Sequence, residues 1–272
     1  MFILYNNQLL QEQELSLPLT NRAFQYNDGF FETAILVDGQ IRFWNDHLQR
    51  MQEAAAALQL ELPPYFMEEQ FKGQLLQLAQ QEVAVKYGRL KLKVWRAGAG
   101  LYTPQSNAAN WLATAQPTSP APAEVLHIGV CKNIHTAYTP FSHFKGPNAP
   151  LYVLAAIEKQ EAGLDDMLLL SASGHVAELI SSNIFWLKDE VIYTPHLQSG
   201  CVNGILRRNI MRWGQSIGIT VQEVHEAVTT ILKADAVFAV NVTGIRSIAS
   251  IAGTHIAQNE HFVDRLRRKL ML

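Results

Sequence analysis

The chain is poor in cysteine. Cys131 and Cys201 are the two among 272 residues, which excludes a disulfide framework, offers no spaced thiols for a metal, and points to a reducing, cytoplasmic setting. It also lacks a surplus of either charge. Lysine and arginine total 22, aspartate and glutamate 24, for a formal net charge of -2, and the longest basic run is the short stretch from Arg265 to Lys269. Phosphate backbones demand a concentrated positive face, so nucleic acid is not an expected partner. Nor is a membrane: no stretch approaches the roughly 20 apolar residues of a span, and Met1 to Asn7 lacks the features of a signal peptide. Internal repeats and low-complexity tracts are missing too. What the chain does have is length and apolarity. With 48% hydrophobic residues it can bury the core of one large or two ordinary domains.

The pattern along the chain predicts an α+β protein in two domains. Residues 2–5, 30–37 and 41–43 read as strands, the last two joined by Asp38-Gly39, a dipeptide suited to a tight hairpin turn. Trp44-Asn45-Asp46 reads as helix-cap chemistry, and Leu48, Met51, Ala55 and Leu58 then recur at helical spacing until Pro63-Pro64 forbids continuation. A second helix is expected over about 66–82. From Arg89 to Arg96 charge and apolarity alternate so strictly that one face must be buried and the other wet, the mark of a strand in a largely antiparallel sheet. After a strand over 109–115, proline-rich residues without periodicity suggest a linker at 117–123. This separates a smaller N-terminal α/β domain, 1–116, from a larger C-terminal domain, 124–272. Beyond it, a strand over 125–131 precedes a helix over 150–163 with Leu151, Leu154, Ala155 and Ile157 on one face. Short strands at 167–171, 175–178, 183–187 and 191–193 suggest a curled or barrel-like sheet. A helix over 205–217, a strand at 219–224, a short helix at 227–232 and strands at 236–242 and 246–251 complete the pattern.

Lys145 stands out, in Ser-His-Phe-Lys-Gly-Pro-Asn, where aromatic, glycine and proline neighbours suggest a strand end turning into a helix. Desolvation would lower the pKa of such an ammonium and free the amine as nucleophile or base; the plain alternative is a solvated lysine at a helix start. Glu178 precedes small polar residues and a strongly apolar strand, so it is expected to be buried, facing either a cation such as a protonated ring nitrogen or local backbone amides. Gly204-Ile205-Leu206-Arg207 opens a helix whose first N–H groups lack partners, which suits a phosphate or simply water. Arg50, on the helix after His47, could add a bidentate charge to the same anion or remain a solvated arginine. A lysine, a buried acid, a phosphate cradle and an arginine together would suit pyridoxal 5'-phosphate.

With these motifs the chain resembles the class IV aminotransferases, the fold type IV pyridoxal-phosphate enzymes. That family includes branched-chain and D-amino-acid aminotransferases and 4-amino-4-deoxychorismate lyase. The resemblance runs from Arg22 to Thr33 through His47 to Arg50, Lys145 to Asn148, Glu178 to Phe185 and Tyr193 to Pro195, and on to Asn203 to Arg207. It implies a homodimer acting on a small-molecule amine. It also implies that Lys145 is the catalytic lysine that bonds covalently to the cofactor. Glu178 would be the partner of the ring nitrogen, Arg50 the phosphate arginine, and Gly204 with the Ile205 and Leu206 amides the phosphate cradle. Asn241 and Val242 would also lie at the cofactor, and Tyr26 and Phe31 would line the substrate pocket.

Branch details favour the lyase, an enzyme of folate biosynthesis. The asparagine lies three residues after the lysine, at Asn148, as in the lyase and D-amino-acid branches, whereas branched-chain enzymes usually place it four residues on. Leu206 stands where both aminotransferase branches usually carry threonine, and Asn241 matches the lyase. The arginine and histidine with which D-amino-acid enzymes trap a carboxylate are missing from the loop Ala97 to Pro104. Typical lyases carry a basic residue in that loop, where Leu101 stands here, so another cation is implied for the dicarboxylate substrate; Arg96 and His143 are the candidates, each with a structural alternative, Arg96 as the strand's last solvated charge and His143 as a packing residue. The alternatives are an amino-acid transaminase and, more remotely, a noncatalytic metabolite-binding module, against which the intact Lys145 and Glu178 argue.

Overall fold

The alternating stretch becomes the central strand of a sheet in the computed structural model, which describes residues 1–270 other than 121, 123 and 218. Ala121 and Ala123 of the expected linker, and Gly218, Met271 and Leu272 of the expected C-terminal domain, lie outside the described residues. By their contacts the residues divide into two units: Met1–Pro120 with Phe144–Pro147, and Ala121–His143 with Asn148–Leu272.

In the first unit β1 (Phe2–Tyr5) and β2 (Gln8–Gln11) form a hairpin, followed by a short helix α1 (Arg22–Tyr26), β3 (Gly29–Val37) and β4 (Gln40–Ile41). Asp38 and Gly39 both take positive φ, 47° and 76°, as the tight turn between β3 and β4 requires. Helices α2 (Trp44–Leu58) and α3 (Glu69–Gln81) and strands β5 (Tyr87–Arg96) and β6 (Ala109–Pro117) complete the unit. The six strands run β2-β1-β6-β5-β3-β4, each antiparallel to its neighbours. One face supplies Phe30, Ala34, Leu90, Leu92, Val94 and Trp111 to a core shared with Met51, Phe66, Phe71, Leu75 and Leu78. Phe66 stacks on Phe71 at 4.2 Å, and the Trp111 indole N–H donates to Tyr65 Oη at 2.8 Å, so the largest ring keeps its one polar atom satisfied. The expected cap at Trp44 to Asp46 is instead the first turn of α2 itself. Phe43 is the cap residue, at φ 54° and with no side-chain bond, and Asp46 puts its charge where the helix dipole favours it.

In the second unit β7 (Leu126–Thr136) leads through α4 (Ala149–Ala162) to β8 (Asp166–Ser171). Then come β9 (Val176–Leu179), β10 (Asn183–Lys188), β11 (Val191–Pro195), α5 (Ile205–Ile217), β12 (Val221–Val224), α6 (Val228–Ile231), β13 (Ala236–Asn241), β14 (Gly244–Ile251), β15 (Thr254–His255) and α7 (Glu260–Lys269). The main path of the sheet is β12-β11-β10-β13-β14-β7-β8-β9, with β15 on β14. Its ends curl back: β9 leads into β10 through three residues and also lies against β11. This is the expected α+β, barrel-like architecture. Its core gathers Leu126, Ile128, Leu168, Leu179, Trp186, Val237 and Ile248. On α4 the expected apolar face is only half right. Ala155 is fully buried and Leu151 packs inward, but Leu154 and Ile157 are exposed; a helix apolar on nearly every side gives periodicity nothing to select. Among the described residues no helix is long and apolar enough to cross a membrane.

Candidate functional site

Lys145 belongs by its contacts to the first unit, although residues of the second bracket it in sequence. Its carbonyl accepts the Phe31 N–H at 2.8 Å, and the Asn27 side-chain amide donates to the next carbonyl, Gly146 O, at 3.0 Å. Gly146 makes this possible. A Cβ there would lie 2.6 Å from Gly29 O and 2.8 Å from Phe30 Cα, so any larger residue would lift the segment off β3. Phe144 packs edge-on against Phe30 at 6.1 Å. The half-buried Lys145 is thus laid along the start of β3 by two hydrogen bonds and one close backbone approach.

Arg50, one of the four supports expected for the cofactor, is buried on α2. Its guanidinium meets Glu32 of β3 through Nε at 2.7 Å and a terminal nitrogen at 2.7 Å, while His47 Nδ1 meets the same carboxylate at 2.7 Å. Burial alone would raise the pKa of Glu32. The Arg50 charge and the hydrogen bonds from His47 and Arg50 override it and hold the carboxyl at about 2. Arg50 is therefore a fixed fork rather than a solvated helix residue.

Arg96 is also buried, and its donors are spent inside the first unit. Nε donates to Asp28 at 2.9 Å, and the two terminal nitrogens reach Asn107 Oδ1, Gln59 O, Leu58 O and Asp28 Oδ1. Five N–H groups meet five acceptors, which leaves this side chain in a structural role rather than open to a substrate carboxylate. Asp28 is shared with Arg22, which also donates to the Gly100 and Leu101 carbonyls and so clamps the Gly-rich loop against α1. Tyr26 ends α1 with its ring 4.9 Å from the Arg22 guanidinium and 5.7 Å from the Tyr102 ring. Leu101 itself is exposed.

In the second unit a hydrogen-bonded chain runs through Glu178. This residue of β9 is buried; Oε1 accepts the Tyr152 hydroxyl at 2.7 Å and Oε2 the Val202 N–H at 3.1 Å. Burial, reinforced by the charge of Glu178 and their hydrogen bond, raises the pKa of Tyr152, which stays protonated and donates. Burial, with the Glu178 charge behind it, pushes the neighbouring Cys201 thiol up to about 12. Asn183 of β10 continues the chain by donating to Val202 O at 2.7 Å. Its Oδ1 lies so close to Gly204 that a Cβ there would come within 2.2 Å. The Asn203 N–H is bound by His143 O at 3.0 Å, and the His143 ring stands 5.4 Å from that of Tyr138. From this braced loop α5 begins at Ile205 with N–H groups that have no intrahelical partner. Buried Arg207 fastens the helix from its other side, bonding Asn203 Oδ1, Pro195 O and Glu223.

Asn241 and Val242 form the turn from β13 to β14. The Asn241 amide donates to Ser182 Oγ at 2.9 Å, and its Oδ1 accepts the Thr243 N–H at 2.9 Å, which pins the turn to the loop after Glu178. Glu178, Val202, Gly204 and Asn241 thus share one network, joined by Tyr152 and Asn183, which pattern reading missed. Tyr152 sits seven residues after Lys145 on α4, the one local signal that could have drawn notice.

A phosphorylated pyridine ring needs a charge for its ring nitrogen, amides for its phosphate and an amine for its aldehyde. The residues fit: Glu178 is held by two neutral donors, and a glycine is pressed against a side-chain oxygen at the start of α5. Among the described residues no cluster suits a metal ion.

A family model described as amino-transferase class IV matches residues 29–251. The chain is 27% identical over 262 residues to an aminodeoxychorismate lyase of Vibrio harveyi, covering 93% of this chain and 94% of that one. It is equally 27% identical over 271 residues to a D-alanine aminotransferase of Bacillus licheniformis, with coverages of 94% and 90%. Among solved structures, a branched-chain aminotransferase of Thermoproteus uzoniensis shares the fold with a TM-score of 0.88 at 21% identity, over 100% of this chain and 95% of that one.

Proposed function

The chain belongs to the class IV aminotransferases, enzymes that use pyridoxal 5'-phosphate, and on that premise we propose that it is an aminodeoxychorismate lyase, which releases pyruvate and 4-aminobenzoate. The observation that carries the choice is Leu206. In the first turn of α5, where transaminases usually offer a threonine hydroxyl, this side chain is completely buried in the core. At this position an anion would meet the backbone amide and no side-chain hydroxyl. The likeness to the Vibrio harveyi lyase, which spans nearly the whole of both chains, supports the same choice.

When bound, pyridoxal phosphate supplies an electron-accepting ring beside the carbon that carries the substrate's nitrogen. Lys145 would hold the cofactor covalently and, once the incoming amine has taken its place, its freed amine would take the proton from that carbon. Glu178 would keep the ring nitrogen protonated; the Tyr152 hydroxyl and the Val202 amide hold its carboxylate in place. Arg50 and the Ile205 and Leu206 amides would receive the phosphate, flanked by Asn241 and Val242, while Tyr26 and Phe31 would line the substrate. In the lyase reaction the neighbouring C–O bond would break with its electrons leaving on the enolpyruvate oxygen, the proton taken from the ring carbon would be balanced by one gained by the enol to give pyruvate, and the ring would become aromatic.

The protein acts in this reading as a cytoplasmic homodimer on a small-molecule amine. Leu19, Phe24, Leu101 and Tyr102 of the first unit are 77%, 73%, 79% and 90% exposed, and apolar surface of that kind favours a covered face.

Purified protein should show a visible absorption band that borohydride removes and that Lys145→Ala lacks; a band unchanged in the variant sinks the cofactor assignment. Aminodeoxychorismate should then yield 4-aminobenzoate and pyruvate. No aminobenzoate, with turnover of an amino acid and a 2-oxo acid instead, would establish the transaminase.

A further inference from the structure

The loop that braces the start of α5 grows out of a single turn of 3-10 helix, Leu197–Ser199, and the residue that caps this turn is His196. Hydroxyl, amide or carboxylate side chains are the usual caps. Here the half-buried imidazole does the work: Nδ1 accepts the Gln198 N–H at 3.1 Å, and among the described residues that amide has no other acceptor. A backbone N–H can only donate, so the nitrogen that receives it must be unprotonated and the ring neutral. An imidazolium donates from both nitrogens and cannot make this bond.

The turn is the root of the loop assigned to the cofactor. The His196 N–H donates to Val224 O at 2.9 Å, and the Thr136 hydroxyl donates to Ser199 O at 2.6 Å. Gly200, at φ 86°, lies so close to the chain at Ala137 that a Cβ would come within 2.6 Å of its carbonyl carbon. Next, the Val202 N–H donates to Glu178 and the Val202 carbonyl accepts the Asn183 amide. A shift of the turn is therefore passed directly to a donor of Glu178 and to the segment before Gly204.

Two further imidazoles lie beside the cap. The His225 ring is 5.0 Å from that of His196 and 5.7 Å from that of His175, whose Nδ1 is 3.0 Å from Ser173 Oγ. The other charged groups on the adjoining segments are engaged: Glu223 pairs with Arg207, which also donates to Pro195 O, and Glu226 accepts the Thr230 hydroxyl at 2.8 Å. Protons taken up by His175 or His225 add like charge next to the cap.

We infer that His196 is a positioning residue for the cofactor site: neutral, it holds the turn that carries residues 200–204, and on taking a proton it releases that turn. Histidine changes charge between about pH 5 and 8, so the cap is present toward the upper end of that range and lost toward the lower end. The site then holds its cofactor less tightly as the pH falls. This rests on the assignment of the loop to the cofactor.

The test uses the purified holoenzyme, with cofactor affinity read from the visible band at about pH 7.5 and 5.5. Wild type should bind about tenfold less tightly at the lower pH, the scale of one lost hydrogen bond at its upper limit. His196→Asn keeps an oxygen that accepts the Gln198 N–H and does not titrate, and should lose less than about threefold. His196→Ala should bind at the higher pH as weakly as wild type at the lower. Titration of Lys145, Glu178 or the phosphate is common to all three proteins, so an equal loss in wild type and His196→Asn overturns the inference. No loss in wild type, or an alanine variant as tight as wild type at the higher pH, overturns it too. Amide exchange over residues 196–204 supplies a readout without the cofactor: protection should fall at the lower pH in wild type and hold in His196→Asn. No visible band at either pH, with this difference in exchange intact, refutes the proposed function and leaves the cap standing; equal exchange in the two proteins refutes the cap.

Discussion

Replacing Glu32 with glutamine keeps the shape of the side chain and deletes its charge, leaving the buried Arg50 facing a neutral amide. The size of the effect follows from the pKa. Held at about 2 against an ordinary value of 4.5, the carboxylate contributes about 3 kcal/mol to stability at neutral pH. Removing one partner of a buried pair costs about 3–5 kcal/mol in general, in the same range. Glu32→Gln should therefore lower Tm by about 6–12 °C for a chain of this size. The pH dependence has a definite sign. A folded-state pKa below the unfolded one means stability that is fully present above about pH 5 and lost as pH falls toward 2; about a quarter should be gone at pH 4 and more than half at pH 3. Urea unfolding of both proteins at pH 7, 5, 4 and 3 should show a constant gap at the two higher values that narrows at the lower ones. A gap below about 1 kcal/mol at pH 7, or one that widens as the pH falls, would refute the description of Glu32 as a buried charge matched to Arg50.

Tyr152→Phe removes the hydroxyl that donates to Glu178 at 2.7 Å and should weaken cofactor binding about tenfold, near the 1.5–3 kcal/mol of a hydrogen bond to a charged group. Cofactor dissociation followed by loss of the visible band checks this; unchanged affinity would mean that the hydroxyl does not help to hold the carboxylate. Gly204→Ala sets a methyl group 2.2 Å from Asn183 Oδ1, so the loop before α5 must shift. Phosphate affinity should fall more steeply than thermal stability, with inorganic phosphate protection against unfolding as the measure; protection equal to wild type would place the anion elsewhere.

Much of the architecture was readable in the residue pattern because it is written locally. The period-two alternation from Arg89 to Arg96 required a strand with one wet face, Asp38-Gly39 required positive φ, and Pro63-Pro64 required α2 to end. Where the local signal was weak the pattern failed. The five residues of α1 are too few for periodicity, α7 showed only as the basic run from Arg265 to Lys269, and α4 is apolar on too many sides for its buried face to be chosen. Arg96 shows the same limit at the level of function: its charge and position suggested a substrate contact, but five acceptors brought from Asp28, Leu58, Gln59 and Asn107 occupy it.

The family, its cofactor and the residue types able to serve that cofactor follow from the sequence alone, since the motifs around Lys145, Glu178 and Gly204 are short and contiguous. Only the tertiary structure decided their supports. Tyr152 lies 26 residues from Glu178 and Glu32 lies 18 from Arg50, and the His225 ring is brought to that of His196 by the pairing of β11 with β12. A hydrogen bond or an ion pair depends on ångström distances between side chains, and the distance between two residues along the chain does not specify them until the sheet has paired and the helices have packed.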